Sequence, residues 1–203
     1  FVFRVPGRPF KQDQLEKELA LRPLSDTPGL EGFSRDSNRV EVGSWPGQQY
    51  VVVIAHKVVS KAEGRIRALA DVEPGPEAHA LAAKLGKDPR LVQAVLDESV
   101  EVVRDERVLI CRTRHGFVCA NAGVDQSNAP DGCVILLPED PDASARRLRA
   151  VLPGRPAVVI ADSFGRAWRI AQCDVAIGIA GLAAVDDWQG RPDRSGRELH
   201  ATS

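Results

Sequence analysis

The run Tyr50-Val51-Val52-Val53-Ile54-Ala55 constrains this chain more than any other stretch. It is continuously apolar and mostly β-branched, so it has no polar face to offer water. Such a run reads as a buried strand of a covered sheet. Val108 to Arg112, Gly116 to Ala120, Cys133 to Leu137 and Ala157 to Ala161 read as further short strands, each closed by polar residues or Gly/Pro. Two helices announce their starts. Asp88-Pro89 supplies a cap and a proline at the first helical position, and Val92, Val95, Leu96, Ser99 and Val103 follow at helical spacing. Asp140-Pro141 repeats the device ahead of Ala145, Leu148 and Leu152, with Asp142 in the first turn and arginines later, as the helix dipole favours. Strands and helices mix without strict βαβ order, which predicts an α+β protein with a mixed β-sheet and packed helices.

Charge narrows the function. Lys+Arg 27 against Asp+Glu 28 leaves a net charge of -1, and a nucleic-acid binder needs a large positive field. No apolar run approaches the roughly 20 residues that span a bilayer, and no signal peptide opens the chain, so a cytoplasmic protein with no membrane partner is expected. The chain contains no Met, and it is expected to be incomplete at one or both ends.

The first part of the chain differs from the rest. Lys11 to Leu21 reads as a short helix, and Pro23 to Gln49, rich in Pro, Gly, Ser and Asp, as a loop. Near the other end, Asp174 to Val185 is small and apolar and reads as a helix packed closely on a neighbour. Cys111, Cys119, Cys133 and Cys173 form no CxxC pair, so buried thiols are expected, with a nucleophilic role the alternative. His79 and His115 read as solvated, and Arg146, Arg147 and Arg149 as the wet side of a helix. Neither a GxGxxG fingerprint nor a GxxxxGK[ST] phosphate loop occurs.

Three polar words follow buried strands, where ligands collect in sheet proteins. His56-Lys57-Val58-Val59-Ser60-Lys61-Ala62-Glu63-Gly64-Arg65 could meet polyphosphate through its lysines and Arg65, or be a solvated polar turn. Asn121 to Pro130 holds Asp125 and Asn128, which suit a hard divalent cation or a turn tied by side-chain bonds. Asp162-Ser163-Phe164-Gly165-Arg166-Ala167-Trp168-Arg169 pairs a carboxylate with a hydroxyl at a strand tip, suited to metal or to a helix cap. The three make chemical sense as one centre for phosphoryl transfer.

These words, with Asp-Pro-Asp-Ala-Ser-Ala at 140–145 and the stretch Gly178 to Gly196, resemble the coenzyme F420-0:L-glutamate ligase family, the gamma-glutamyl ligases of deazaflavin coenzyme biosynthesis. The resemblance runs in order from about Tyr50 to Ser203. It implies a domain over 50–203 that continues beyond Ser203, behind a divergent segment 1–49. It implies an intertwined homodimer, GTP as co-substrate, and L-glutamate joined to the phospholactyl carboxylate of the F420-0 precursor through an acyl phosphate. Two divalent ions, Mg²⁺ or Mn²⁺, are implied, with a potassium-type ion assisting. By motif, Asp125, Asp162 and Ser163 match metal-binding positions, Ser163 standing where threonine is usual. Lys61 and Asn128 match nucleotide contacts, and His56 occupies a nucleotide-contacting position that often holds serine. Lys61, Asp125 and Asp162 are the catalytic candidates. The family's Gly-Leu-Pro word has only Val5-Pro6-Gly7-Arg8-Pro9 as its counterpart. A non-catalytic relative that binds nucleotide or deazaflavin is the alternative, and a metal-dependent phosphatase would account for the aspartates alone.

Overall fold

The computed structural model describes residues 41–45, 48–165 and 170–200. The helix expected at 11–21, most of the loop at 23–49, and Arg166 and Arg169 lie outside the described residues. The α+β expectation holds: nine strands and four α-helices among the described residues form three sheets.

The largest sheet has the order β1 (Glu41–Trp45), β2 (Gln48–Ala55), β8 (Ala157–Gly165), β9 (Gln172–Ala180). β2 and β8 are parallel, with Val52 opposite Val158 and Ala55 opposite Ala161, while both flanking pairs are antiparallel, so the sheet is mixed. The two runs with no polar face pair at its centre, as their composition demands. Val52, Ile54, Val158 and Ile160 are buried with Ala145 of α4 (Pro141–Val151) and Val58 and Val59 of α1 (His56–Ala62). Each of these valines and isoleucines contributes about 1.5–3 kcal/mol on burial.

A second core lies under the antiparallel meander β4 (Ser99–Glu106), β5 (Val108–Thr113), β6 (Val118–Ala120). Leu109 and Cys111 pack there against Ala78 and Ala82 of α2 (Pro76–Leu85) and Val92 and Val95 of α3 (Pro89–Asp97). Between the cores, β3 (Ile66–Ala68) pairs antiparallel with β7 (Cys133–Ile135). Past β7 the chain alternates, so Leu136 enters the second core and Leu137 the first.

Four expectations fail, each for a local reason. The loop expected to run to Gln49 contains β1 and the first residues of β2, because sheet pairing with Val51–Val53 overrides weak local propensity. The helix after Asp88 stops at Asp97. Ser99 and Val103 belong to β4, whose ladder with β5 competes successfully for that chain. The stretch 174–185 enters the largest sheet as the last part of β9 instead of forming a helix. Its small residues do serve close packing, since a Cβ on Gly178 would lie 2.4 Å from the Pro141 carbonyl oxygen. The polar word after β2 is a helix, α1, rather than a turn.

Both Asp-Pro starts are real. Asp88 accepts the Arg90 amide at 2.8 Å and Asp140 accepts the Ala143 amide at 2.8 Å. The Arg90 guanidinium, which also bonds Asp88, holds that carboxyl below its ordinary value of 3.8. Asp88→Ala should cost about 1 kcal/mol at pH 7 in urea denaturation. A depressed carboxyl stabilises the fold above its unfolded pKa, so this difference should shrink as pH falls below 3.8.

Candidate functional site

The register of the central strands builds half of the site. Ala55 lies opposite Ala161 in a parallel pair, so the next residues, His56 and Asp162, emerge side by side. His56 Nε2 lies 3.2 Å from Asp162 Oδ1, and Ser60 Oγ, one turn along α1, lies 3.4 Å from His56 Nδ1. Both His56 and Ser60 are buried. A neutral imidazole that donates from Nε2 to the carboxylate can accept from Ser60 at Nδ1. Asp162 Oδ1 also accepts the Ser163 amide at 2.7 Å. Nothing among the described residues donates to Asp162 Oδ2.

The other half reaches the same helix by a longer path. β3 leaves α1 and pairs with β7, where Ile66 is opposite Ile135. The Asp125 amide in turn donates to the Ile135 carbonyl at 3.0 Å, and the Ile135 amide to the Asp125 carbonyl at 2.8 Å. That bridge delivers the Asp125 carboxylate to the residue after His56. Lys57 Nζ lies 2.6 Å from Asp125 Oδ2. The Ser127 amide donates to Asp125 Oδ1 at 2.7 Å and Ser127 Oγ to Oδ2 at 3.0 Å. Burial, the largest single influence, pushes the Asp125 carboxyl up. The Lys57 and Ser127 hydrogen bonds and the Lys57 charge together outweigh it, and the net shift is downward.

Adjacent residues of one short helix therefore bind the two aspartates that the sequence singled out. Lys61 stands on the same face of α1 one turn after Lys57, and no side chain among the described residues engages its ammonium. Asn128 is exposed, in the left-handed region at φ 59. Ser163 is placed differently. Asp162 and Ser163 lie inside β8, not at a tip or a helix cap, so their side chains alternate across the sheet. Ser163 Oγ donates to Asp174 Oδ1, its cross-strand partner, at 2.5 Å.

Lys57, one of the lysines expected to meet polyphosphate, instead gives its ammonium to Asp125. It sits four residues before Lys61, a spacing that marks a shared face once 56–62 is read as a helix. Phe164, two residues past Asp162, meets Phe117 edge-on at 6.2 Å, and Phe117 stacks on His115 at 5.6 Å. His115 is thus half-buried rather than solvated, with Nε2 at 3.0 Å from the carbonyls of Pro138 and Glu139. Arg65, a candidate phosphate clamp, is committed elsewhere: it donates to the Leu137 carbonyl at 2.9 Å and to both oxygens of Glu98. Arg147 pairs with Glu63, and Arg149 lies against Gly181, so that cluster is only partly a wet face.

Two of the four thiols, Cys111 and Cys119, are buried as expected and held in the thiol form. Burial, then the neighbouring Asp162 charge, pushes Cys119 up to about 12, and burial also raises Cys111. Cys133 and Cys173 are only half-buried.

The donors present are hard oxygens, the kind that divalent Mg²⁺ and Mn²⁺ take. Among the described residues no group of three His, Cys, Asp or Glu side chains forms a ready-made cage. Two separate carboxylates instead suit ions that complete their shells with substrate oxygens, and Asp162 Oδ2 has no donor among the described residues. No helix among the described residues is long and apolar enough to cross a membrane.

Comparison with known proteins gives this arrangement its context. Residues 38–203 match the family model described as F420-0:Gamma-glutamyl ligase. The coenzyme F420:L-glutamate ligase of Methanothermobacter thermautotrophicus is 47% identical over 157 residues, 75% of this chain and 62% of that protein. That of Methanopyrus kandleri is 49% identical over 190 residues, 91% of this chain and 72% of its own length, and that of Archaeoglobus fulgidus 47% identical over 156 residues, covering 75% and 63%. The chain spans less than two thirds of the first of these relatives. A family match over most of the residues, together with relatives this similar, means that the chain belongs to the F420-0:gamma-glutamyl ligase family.

Proposed function

We propose that the chain carries the site of a ligase that joins L-glutamate to the carboxylate of the deazaflavin precursor F420-0, with GTP as phosphoryl donor. The observation that carries this reading is the pairing of Asp162 and Asp125 with consecutive residues, His56 and Lys57, of one helix. Family membership supplies the substrate class.

A carboxylate does not acylate an amine unaided. In the proposed reaction its oxygen attacks the γ-phosphorus of GTP, GDP leaves, and an acyl phosphate forms. The glutamate amine then attacks the carbonyl carbon, phosphate departs, and the amine loses a proton as the amide forms. A divalent ion held by Asp125 and Asp162 would supply neutralising charge to the phosphates. His56 acts as a positioning residue, since its imidazole fixes Asp162 Oδ1 and leaves Oδ2 uncommitted among the described residues. Lys61 offers an uncommitted ammonium to the triphosphate, and Asn128 an exposed amide to the nucleotide. Ser163 remains the third donor candidate, and its hydroxyl would have to exchange Asp174 for the ion. A homodimer and a potassium-type ion belong to the same proposal.

The test is incubation of the protein with GTP, Mn²⁺, L-glutamate and F420-0, with products read by mass. Glutamylated product that requires GTP and Mn²⁺ is expected. GTP bound without turnover would instead favour a non-catalytic relative that binds nucleotide. Neither product nor GTP binding would overturn both.

A further inference from the structure

The two aspartates differ in a way that their sequence words do not show. Asp162 keeps Oδ2 without a donor among the described residues, whereas both oxygens of Asp125 are in use. Ser127 holds Oδ1 through its amide at 2.7 Å, and Oδ2 accepts Ser127 Oγ at 3.0 Å and Lys57 Nζ at 2.6 Å. The same ammonium donates to Ser127 Oγ at 2.5 Å. The Ser127 bonds are local, from a residue two positions along, and they orient the carboxylate. The Lys57 bond comes from another element, carries a full positive charge, and is made by a side chain only 24% exposed.

We propose that Lys57 is a tethered counter-cation that occupies the Asp125 end of the cation site and sets its affinity for divalent metal. This rests on the metal reading given above. Two cations cannot share one carboxylate oxygen at contact distance without strong repulsion, which partial burial screens poorly. A divalent ion therefore gains Asp125 only as the ammonium leaves it. Asp125 stays oriented when that happens, because the Ser127 amide grips Oδ1 independently of Lys57. The released ammonium remains on the face of α1 that also carries Lys61, so loading the site adds positive charge to that face. Lys57 thereby prevents Asp125 from standing as an unpaired, half-buried carboxylate before any ion arrives, and it weakens binding of the ion by the strength of its own bond.

The experiment measures Mn²⁺ alone, without nucleotide, through loss of the free-ion EPR signal on titration into the protein. Lys57→Met should bind Mn²⁺ more tightly than the unchanged protein, by on the order of 10-fold. Lys57→Arg, which keeps the charge, should stay near the unchanged protein. Asp125→Asn should weaken binding in either background. Lys57→Gln serves as a second neutral variant, with circular dichroism verifying the fold of each. If the neutral variants bind no more tightly while Asp125→Asn still weakens binding, the Lys57 proposal falls and the metal reading stands. Lys57→Arg binding as tightly as Lys57→Met would also overturn the proposal, because charge would not be the determinant. No Mn²⁺ bound by any variant, or no effect of Asp125→Asn, would overturn the metal reading and the proposal with it.

Discussion

Asp162→Asn should lower glutamate ligation by about 100-fold or more while leaving the unfolding midpoint nearly unchanged. The substitution is isosteric. The amide oxygen of asparagine can still accept from His56 Nε2 and from the Ser163 amide, the two bonds that Asp162 Oδ1 makes now. What is lost is the negative charge and the second oxygen, since an amide nitrogen that donates cannot hold a cation in the place of Oδ2. Asp162→Ala is a less discriminating change, because it leaves a buried imidazole without its partner and mixes a stability cost into the rate. Steady-state kinetics beside urea denaturation separates the two. An Asp162→Asn protein with undiminished ligation would remove Asp162 from the proposed centre.

A second large effect lies away from the reacting groups. Glu98→Ala should destabilise the fold by about 3 kcal/mol. The Glu98 carboxylate, 8% exposed, accepts Arg65 at 3.0 and 2.9 Å and Arg114 at 2.6 Å. Removing it leaves two guanidiniums facing a cavity with no counter-charge. Arg114 is 42% exposed and recovers much of its hydration, which is why the expected cost sits at the low end for a broken buried pair. Arg65 is 20% exposed and is held in place by the Leu137 carbonyl, so it carries most of the penalty. Replacing both members, Arg65→Met with Glu98→Leu, should cost less than Glu98→Ala, because no buried charge is then stranded. Urea denaturation of the three proteins measures the difference. The network joins the chain just after α1 to the start of β4, so its loss should also loosen the helix that carries Lys57 and Lys61.

The sequence shows these contacts unevenly. Helix starts at Asp88 and Asp140 are legible because capping is local: donor, acceptor and proline lie within three residues of one another. The central strands are legible because Val51–Ile54 and Ala157–Ala161 have no polar face. Strand ends are not. β8 runs on through Asp162 to Gly165 because its ladder with β9 continues, and pairing of that kind is invisible in a polar word read by itself. The same blindness placed Ser163 beside Asp162 as a joint donor, although alternation along an extended strand turns its hydroxyl to Asp174. Arg65 looked free to bind phosphate because its partner, Glu98, lies on a different element.

By itself the sequence determined which chemistry is available: hard oxygen donors, ammonium groups near the buried strands, no activated thiol motif, and the ordered words shared with a ligase family. It also determined which segments must be interior, since burial follows from composition along a few consecutive residues. Only the tertiary structure decided who pairs with whom. Parallel register between β2 and β8 sets His56 against Asp162, and the β3–β7 ladder with the Ile135 bridge brings Asp125 to Lys57. Those partnerships are fixed by sheet register between segments far apart in the chain, so the side chains that meet share no local word in which their pairing could be read.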